Sequence, residues 1–358
     1  MTPAMIERLD RLTDALRRRP VALIAAIVSA EWLCAGFSAQ DNGLGAYYGA
    51  VLSGSAQGVT PDHQFLLESV LPNEIGAVLT RAGLHGFALF WTWWGLGLML
   101  LAGALAWAVR SGALSLAALA ALLAFGRLAD TLSLWVFKSD PYLLAFVVLS
   151  LTAANAPAAV AFTLLAGLCH PSLAFLSAIG MFLADGLTHN RLRWRWLIGG
   201  GLALVAGELA THLAVGAING RLEHNLETLG HTVLRGLLTA PPFLLGTVAV
   251  PMAGLAALDA ARPGKIQPGP WLAAAVGWIA LIALFSMFLV EDHTRVFTLA
   301  LFGAFALFAQ HATRNGGPAA ALSREQTLIL LLLFTARLSA PHVDFSGARV
   351  IELHGLVR

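Results

Sequence analysis

The chain has 358 residues, 58% of them hydrophobic and only 12% charged, with a formal net charge of +2 and a mean hydropathy of +0.75. Soluble domains carry roughly 25% charged residues, so a water-exposed globule around one core is excluded. The apolar residues fall in long runs separated by short polar clusters, the pattern of a helical bundle in lipid. Cys34 and Cys169 lie in or at the edge of apolar runs, which argues against a disulfide framework or a zinc cluster. The sequence holds no HExxH, C-x-x-C, P-loop or GxSxG pattern, and no basic tract interleaved with aromatics that would suit nucleic acid.

Residues 1–20 space Ile6, Leu9, Leu12 and Leu16 at helical intervals and add five arginines between Arg8 and Arg19. They read as an amphipathic basic helix on an anionic cytoplasmic leaflet. The run Val21 to Ala39, with Glu31 in its middle, reads as a retained first span because no small-residue cleavage site follows. Further runs of spanning length are Phe87 to Val109, Leu114 to Phe137, Leu197 to Ile218, Leu237 to Leu258, Trp271 to Val290, Val296 to Gln310 and Thr327 to Ala340. The stretch Tyr142 to Ala184 is interrupted at Asn155, Pro157 and His170-Pro171. It forms either one crossing with a re-entrant hairpin or three short crossings, and both carry the chain to the opposite face. With three, the expected fold is an all-α polytopic bundle of about 11 spans, with residues 21–340 as the transmembrane domain.

Charge placement orients this bundle. With the N-terminus inside, thirteen of the 22 Lys and Arg lie on the inner face and seven on the outer, which supports N-in and C-out. The outer face then collects the loop 40–86, the Lys138-Ser139-Asp140-Pro141 corner, His170, the loop Asn219 to Gly236, the cluster 291–295 and the tail 341–358. Eight of eleven histidines and eleven of twenty carboxylates lie there. The expected location is a bacterial-type cytoplasmic membrane with its chemistry facing the periplasm or exterior.

The first outer loop, about 47 residues, is too long for a passive connection. Two stretches in it, Ala46 to Ser55 and Asp62 to Arg81, read as helices whose apolar faces lie on the membrane surface, with Pro61 where a helix can start. Asp41 stands where the first span leaves the bilayer, followed by Tyr47-Tyr48 and small residues up to Gly54. A partly desolvated carboxylate at that depth suits a base that takes a proton from a hydroxyl nucleophile. Asp41-Asn42-Gly43 equally has the residue types of a turn and helix cap.

The segments QDNGLGAYYGAVLSGSAQG and KSDPYLLAF, followed by short broken helices, give an arrangement that resembles the GT-C superfamily of polytopic glycosyltransferases, which use polyprenyl-linked sugar donors. The resemblance implies an acidic catalytic base in the first outer loop, at Asp41, and a second outer-loop acidic position at Asp140. It also implies amphipathic helices framing a groove for donor and acceptor. The cluster Glu291-Asp292-His293-Thr294-Arg295 joins two spans with scarcely any loop. Arg295 and His293, with Asp292 beside them, are therefore held at headgroup depth where they suit a polyprenyl phosphate or pyrophosphate. The same residues suit a tight turn whose Arg snorkels to headgroups. His170 ends one short helix and either faces the same cavity or caps its helix. Asp41 and Asp140 beside a phosphate suit Mg²⁺ or Mn²⁺.

Ionisable residues within spans need partners or water. Arg127 and Asp130 are spaced to pair on one helix, as are Glu208 and His212, whereas the sequence offers none for Glu31 or Arg337. The functional expectation is a membrane glycosyltransferase or polysaccharide polymerase acting on a lipid-linked sugar and a glycan or lipid acceptor. The alternative is a transporter or flippase of lipid-linked saccharides, whose polar groups would continue to the inner face. The topology is checked by single cysteines at Ser55 and Asn190. An impermeant thiol reagent on intact cells reaches position 55 and misses position 190, and the reverse labelling contradicts the orientation.

Overall fold

The computed structural model describes residues 7, 11, 19–35, 52, 67–134, 138–189, 192–215, 233, 237–238, 240–260, 270–289, 293–314, 324–338, 342–344 and 347–349. These are helical apart from turns and one small hairpin. Among the described residues, three helices are long and apolar enough to cross a membrane: Gly86–Arg110, Pro171–His189 and Arg195–Leu213.

Helix α1, Pro20–Ala35, corresponds to the first expected span. Helix α2, Val70–Arg81, covers only the second half of the stretch expected from Asp62, because the chain makes a short turn at 67–68 before Ser69 starts the helix. Residues 62–66 lie outside the described residues, as does Ala46–Ser55 apart from the buried Leu52. Nor does α2 turn its apolar face to the membrane surface. It rests on the bundle through buried Pro72, whose carbonyl accepts from the Trp93 indole at 2.7 Å. Helix α3, Gly86–Arg110, carries Trp93.

The expected single span Leu114 to Phe137 is instead broken. Helix α4, Leu116–Phe125, ends at Gly126, and α5, Leu128–Leu134, begins after Arg127, whose φ of 53° lies in the left-handed region. That conformation is rare for a side-chain-bearing residue. It goes with the delivery of a 1% exposed guanidinium into the protein interior. The Arg127 carbonyl accepts the Thr131 N–H at 3.1 Å and so starts the next helix, while the Asp130 side chain, expected to pair with Arg127, lies outside the described residues.

Residues 140–189 form three consecutive short helices, broken at the positions the prolines mark. Helix α6, Asp140–Thr152, is followed by α7, Ala156–Cys169, whose N-cap Asn155 accepts the Ala158 N–H at 2.9 Å. Ser150 joins the hairpin by bonding the Ala159 carbonyl and the Thr163 hydroxyl at 3.1 and 2.9 Å. After His170, in extended conformation, Pro171 opens α8, Pro171–His189. Helix α9, Trp194–Val215, packs closely on α7 and α8. Residues 240–243 are helical and lead through a π-helical turn, Leu244–Ala249, into α10, Val250–Ala260. Pro251 lacks the N–H that an α-helix would need there, and the Val250 N–H reaches back five residues to Leu245. The remaining helices are α11, Pro270–Leu289, α12, His293–Arg314, and α13, Arg324–Leu338. The described residues bear out the all-α class, to which the tail adds one short hairpin: β1, His342–Asp344, pairs antiparallel with β2, Gly347–Arg349, His342 opposite Arg349.

Helix faces meet through small residues, as expected where lipid removes the hydrophobic drive between helices. At Gly303 of α12 an added Cβ would come 2.6 Å from the Met181 side chain of α8. At Gly167 of α7 it would meet Ala203 backbone of α9 at 2.6 Å, where nothing flexible can yield. By contrast, Gly201 of α9 has open space around the same position. Gly167→Ala is expected to lower stability by about 1–3 kcal/mol through overpacking. Gly201→Ala should leave it unchanged or raise it by up to about 1 kcal/mol. Thermal unfolding of the two variants in detergent measures the difference, and equal melting temperatures contradict the packing.

Candidate functional site

Two ends of the bundle are defined by contacts between helices. Helices α8 and α12 run parallel: Gly303 sits beside Ser177 and Met181, and further along the His189 and His311 rings lie 6.4 Å apart. The N-terminal turns of α6 and α12 meet at one end, through Asp140 and Arg295. The C-terminal turn of α12 lies at the other, where Gln310 accepts the Ser115 N–H of the α4 cap at 2.7 Å.

At the first end, Arg295 grips Asp140 with two parallel bonds. Nε donates to Oδ2 and Nη2 to Oδ1, each at 2.6 Å, and the residues are 8% and 1% exposed. This is the fork geometry that makes Arg–carboxylate pairs the strongest charged hydrogen bonds. Lys138 and Ser139, just before α6, are buried as well. The Ser139 hydroxyl bonds that of Ser69 at 2.8 Å, next to the buried Glu68, so the close of the 40–86 loop is fastened to the start of α6. Beside Arg295, Thr294 bonds Thr247 at 3.1 Å, and Thr247 also accepts from Arg127 Nη1 at 3.2 Å. Thr247 lies in the π-helical turn. Three buried cations, Arg127, Lys138 and Arg295, thus accompany the buried carboxylates Glu68 and Asp140.

Of the residues expected to form a site, the structure brings Asp140 and Arg295 into direct contact. His170 stands partly buried between α7 and α8. Asp41, Tyr47, Tyr48, Asp292 and the His293 side chain lie outside the described residues, although His293 opens α12. Both Asp140 oxygens accept from Arg295, and Asp41, the other carboxylate expected beside Mg²⁺ or Mn²⁺, lies outside the described residues. No cluster of three metal-ligating side chains occurs among the described residues.

Elsewhere, Glu31 and Arg337 pair with each other at 2.9 Å, both fully buried, supplying the partner that neither had in the sequence. Glu208 and His212 are exposed on α9 and do not pair. Carried outward on the bundle surface, they do not meet the requirement that placed them together. The sequence reading missed Asp185, His189 and Arg193, which cluster at the opposite end. Their signal was an acid and a histidine four residues apart closing an apolar run, followed by an arginine-rich corner.

No protein-family profile, curated protein or solved structure matches the chain.

Removing one partner of the Arg295–Asp140 pair should cost about 3–5 kcal/mol, because an uncompensated charge stays buried. Asp140→Leu and Arg295→Met are therefore each strongly destabilising, while the double variant recovers much of the loss. Chemical unfolding in detergent gives the three values, and additive losses contradict the pairing.

Proposed function

We propose that the chain is a membrane-embedded glycosyltransferase of GT-C type, transferring a sugar from a polyprenyl-(pyro)phosphate donor to an acceptor hydroxyl at the outer face of a cytoplasmic-type membrane. The observation that carries this reading is the meeting of three segments at one end: Glu68 and Ser69 of the first loop, Lys138 to Asp140, and Thr294-Arg295. Loop, cations and helix N-termini together suit an anionic leaving group beside a base carried on the same loop. In this reading α1, α3, α4 with α5, α6, α7, α8, α9, the helix 240–260, α11, α12 and α13 are eleven crossings, N-in and C-out.

The reaction is a single inverting displacement. The acceptor oxygen attacks the anomeric carbon, the bond from that carbon to the phosphate oxygen breaks, and its electron pair leaves on the phosphate. Asp41 takes the acceptor proton as the new bond forms. Arg295, with Lys138, His293 and His170, offsets the phosphate charge. Asp140 holds the Arg295 plane in place and is a positioning residue. Tyr47, Tyr48 and Asp292 support the groove.

A flippase of lipid-linked saccharides is favoured by one observation, a cavity around Asp185 at the end opposite Arg295. Between the ends, however, Val148, Ala178, Leu301 and Ala304 are buried and apolar, which supports putting the transferase first.

Asp41→Asn preserves size and capping oxygen while removing basicity. Transfer should fall about 10² to 10⁴-fold with expression and melting temperature near wild type. The assay follows radiolabelled sugar from a polyprenyl phosphate donor into membrane glycan, and full activity in this variant removes Asp41 as base.

A further inference from the structure

At the end of the bundle away from Arg295, the C-terminal turns of α8 and α12 and the start of α9 enclose a cavity of about 150 Å³. Its polar wall consists of Asp185, His189, Arg193, Trp196, Gln310 and His311. Asp185 is fully buried and ion-paired, Oδ1 2.9 Å from His189 Nδ1 and Oδ2 3.2 Å from Arg193 Nε, although neither oxygen makes a well-aligned hydrogen bond. The Thr188 hydroxyl lies 2.9 Å from the same His189 nitrogen. The ring nitrogen that remains to His189 for the cavity is therefore Nε2.

The other polar groups are donors too. Gln310 spends its carbonyl oxygen on the Ser115 N–H, which leaves its NH₂ for the cavity. The Trp196 indole is 1% exposed, and its Nε1–H has no hydrogen-bond partner among the described residues. An indole can only donate, and a buried donor without an acceptor costs about 1–3 kcal/mol. The wall thus presents N–H groups from five side chains beside apolar Ala113, Leu151 and Leu307, and its one carboxylate is ion-paired with two of those donors. An occupant that supplies several acceptors with negative charge meets the remaining N–H groups.

We propose that this cavity binds a phosphate group, held by Trp196, Arg193, Gln310 and the two histidines, with Asp185 orienting His189 and Arg193. The site is separate from the donor site above and does not depend on it. A free phosphate ion and the phosphate of a lipid headgroup present the same oxygens, and the site's place at the end of the bundle gives access to both.

The test uses the full chain in phosphatidylcholine nanodiscs, titrated with inorganic phosphate at constant ionic strength against chloride. Phosphorus NMR line broadening and thermal unfolding are the readouts. Wild type is expected to bind phosphate and gain stability from it, whereas chloride has no effect. Trp196→Phe keeps the ring and removes only the donor, and should weaken affinity about tenfold. Arg193→Gln, at a half-exposed position, should weaken it at least as much while Asp185 keeps His189. Unliganded melting temperatures establish that both variants fold. Adding phosphatidic acid to the nanodiscs separates the sources: competition with inorganic phosphate identifies a headgroup site, and its absence identifies a site for the free ion. No response in wild type, or equal phosphate affinity in wild type and both variants, overturns the proposal.

Discussion

The bidentate pair between Arg295 and Asp140 ties the first turn of α12 to the first turn of α6, and the arrangement of this end of the protein follows from it. A charge surrounded by apolar helices is costly unless paired with good geometry, so the two helix starts are held at one level. Once they are fixed, Ser139 meets Ser69 and anchors the end of the first loop, while Thr294 meets Thr247 and through it Arg127. Glu31 and Arg337 impose the same kind of constraint on the C-terminal ends of α1 and α13. In an interior where dispersion between small residues supplies most of the packing, such pairs fix which helices meet and in what register.

What could be read from the sequence were features written in local chemistry. The breaks at Asn155 and His170-Pro171 were legible because an Asn cap and prolines specify helix ends without reference to the rest of the chain. Apolar runs gave most helices to within a few residues. The break at Arg127 was not legible, because Leu114 to Phe137 has the length of a single span and Arg127 reaches Thr247, 120 residues away in sequence. Asp140 and Arg295 were each recognised as unusual, yet their contact spans 155 residues of sequence and no spacing rule reaches that far. The same holds for Glu31 and Arg337. For Asp185 the i,i+4 spacing to His189 was legible, whereas its contact with Arg193 and the cavity it shares with Trp196, Gln310 and His311 arise only from the fold.

Polar groups thus gather at two ends of the bundle with different characters. One has cations and carboxylates locked together beside a long loop, the composition suited to an anionic leaving group and a base. The other has a small cavity where N–H groups gather around a single ion-paired carboxylate. Buried apolar residues such as Val148, Ala178, Leu301 and Ala304 lie between them, which favours two separate sites over one continuous path.

The central claim is that Arg295, set in place by Asp140, belongs to the phosphate-binding end of a transferase rather than to the membrane anchoring of α12. The most direct measurement is the affinity of the purified protein for a short-chain polyprenyl phosphate, compared between wild type, Arg295→Lys and Arg295→Ala. Lys keeps the charge but lacks the planar fork, so affinity should fall in two steps, first with the geometry and then with the charge. Equal, wild-type-like affinity in both variants would contradict the account and leave Arg295 with a purely structural role.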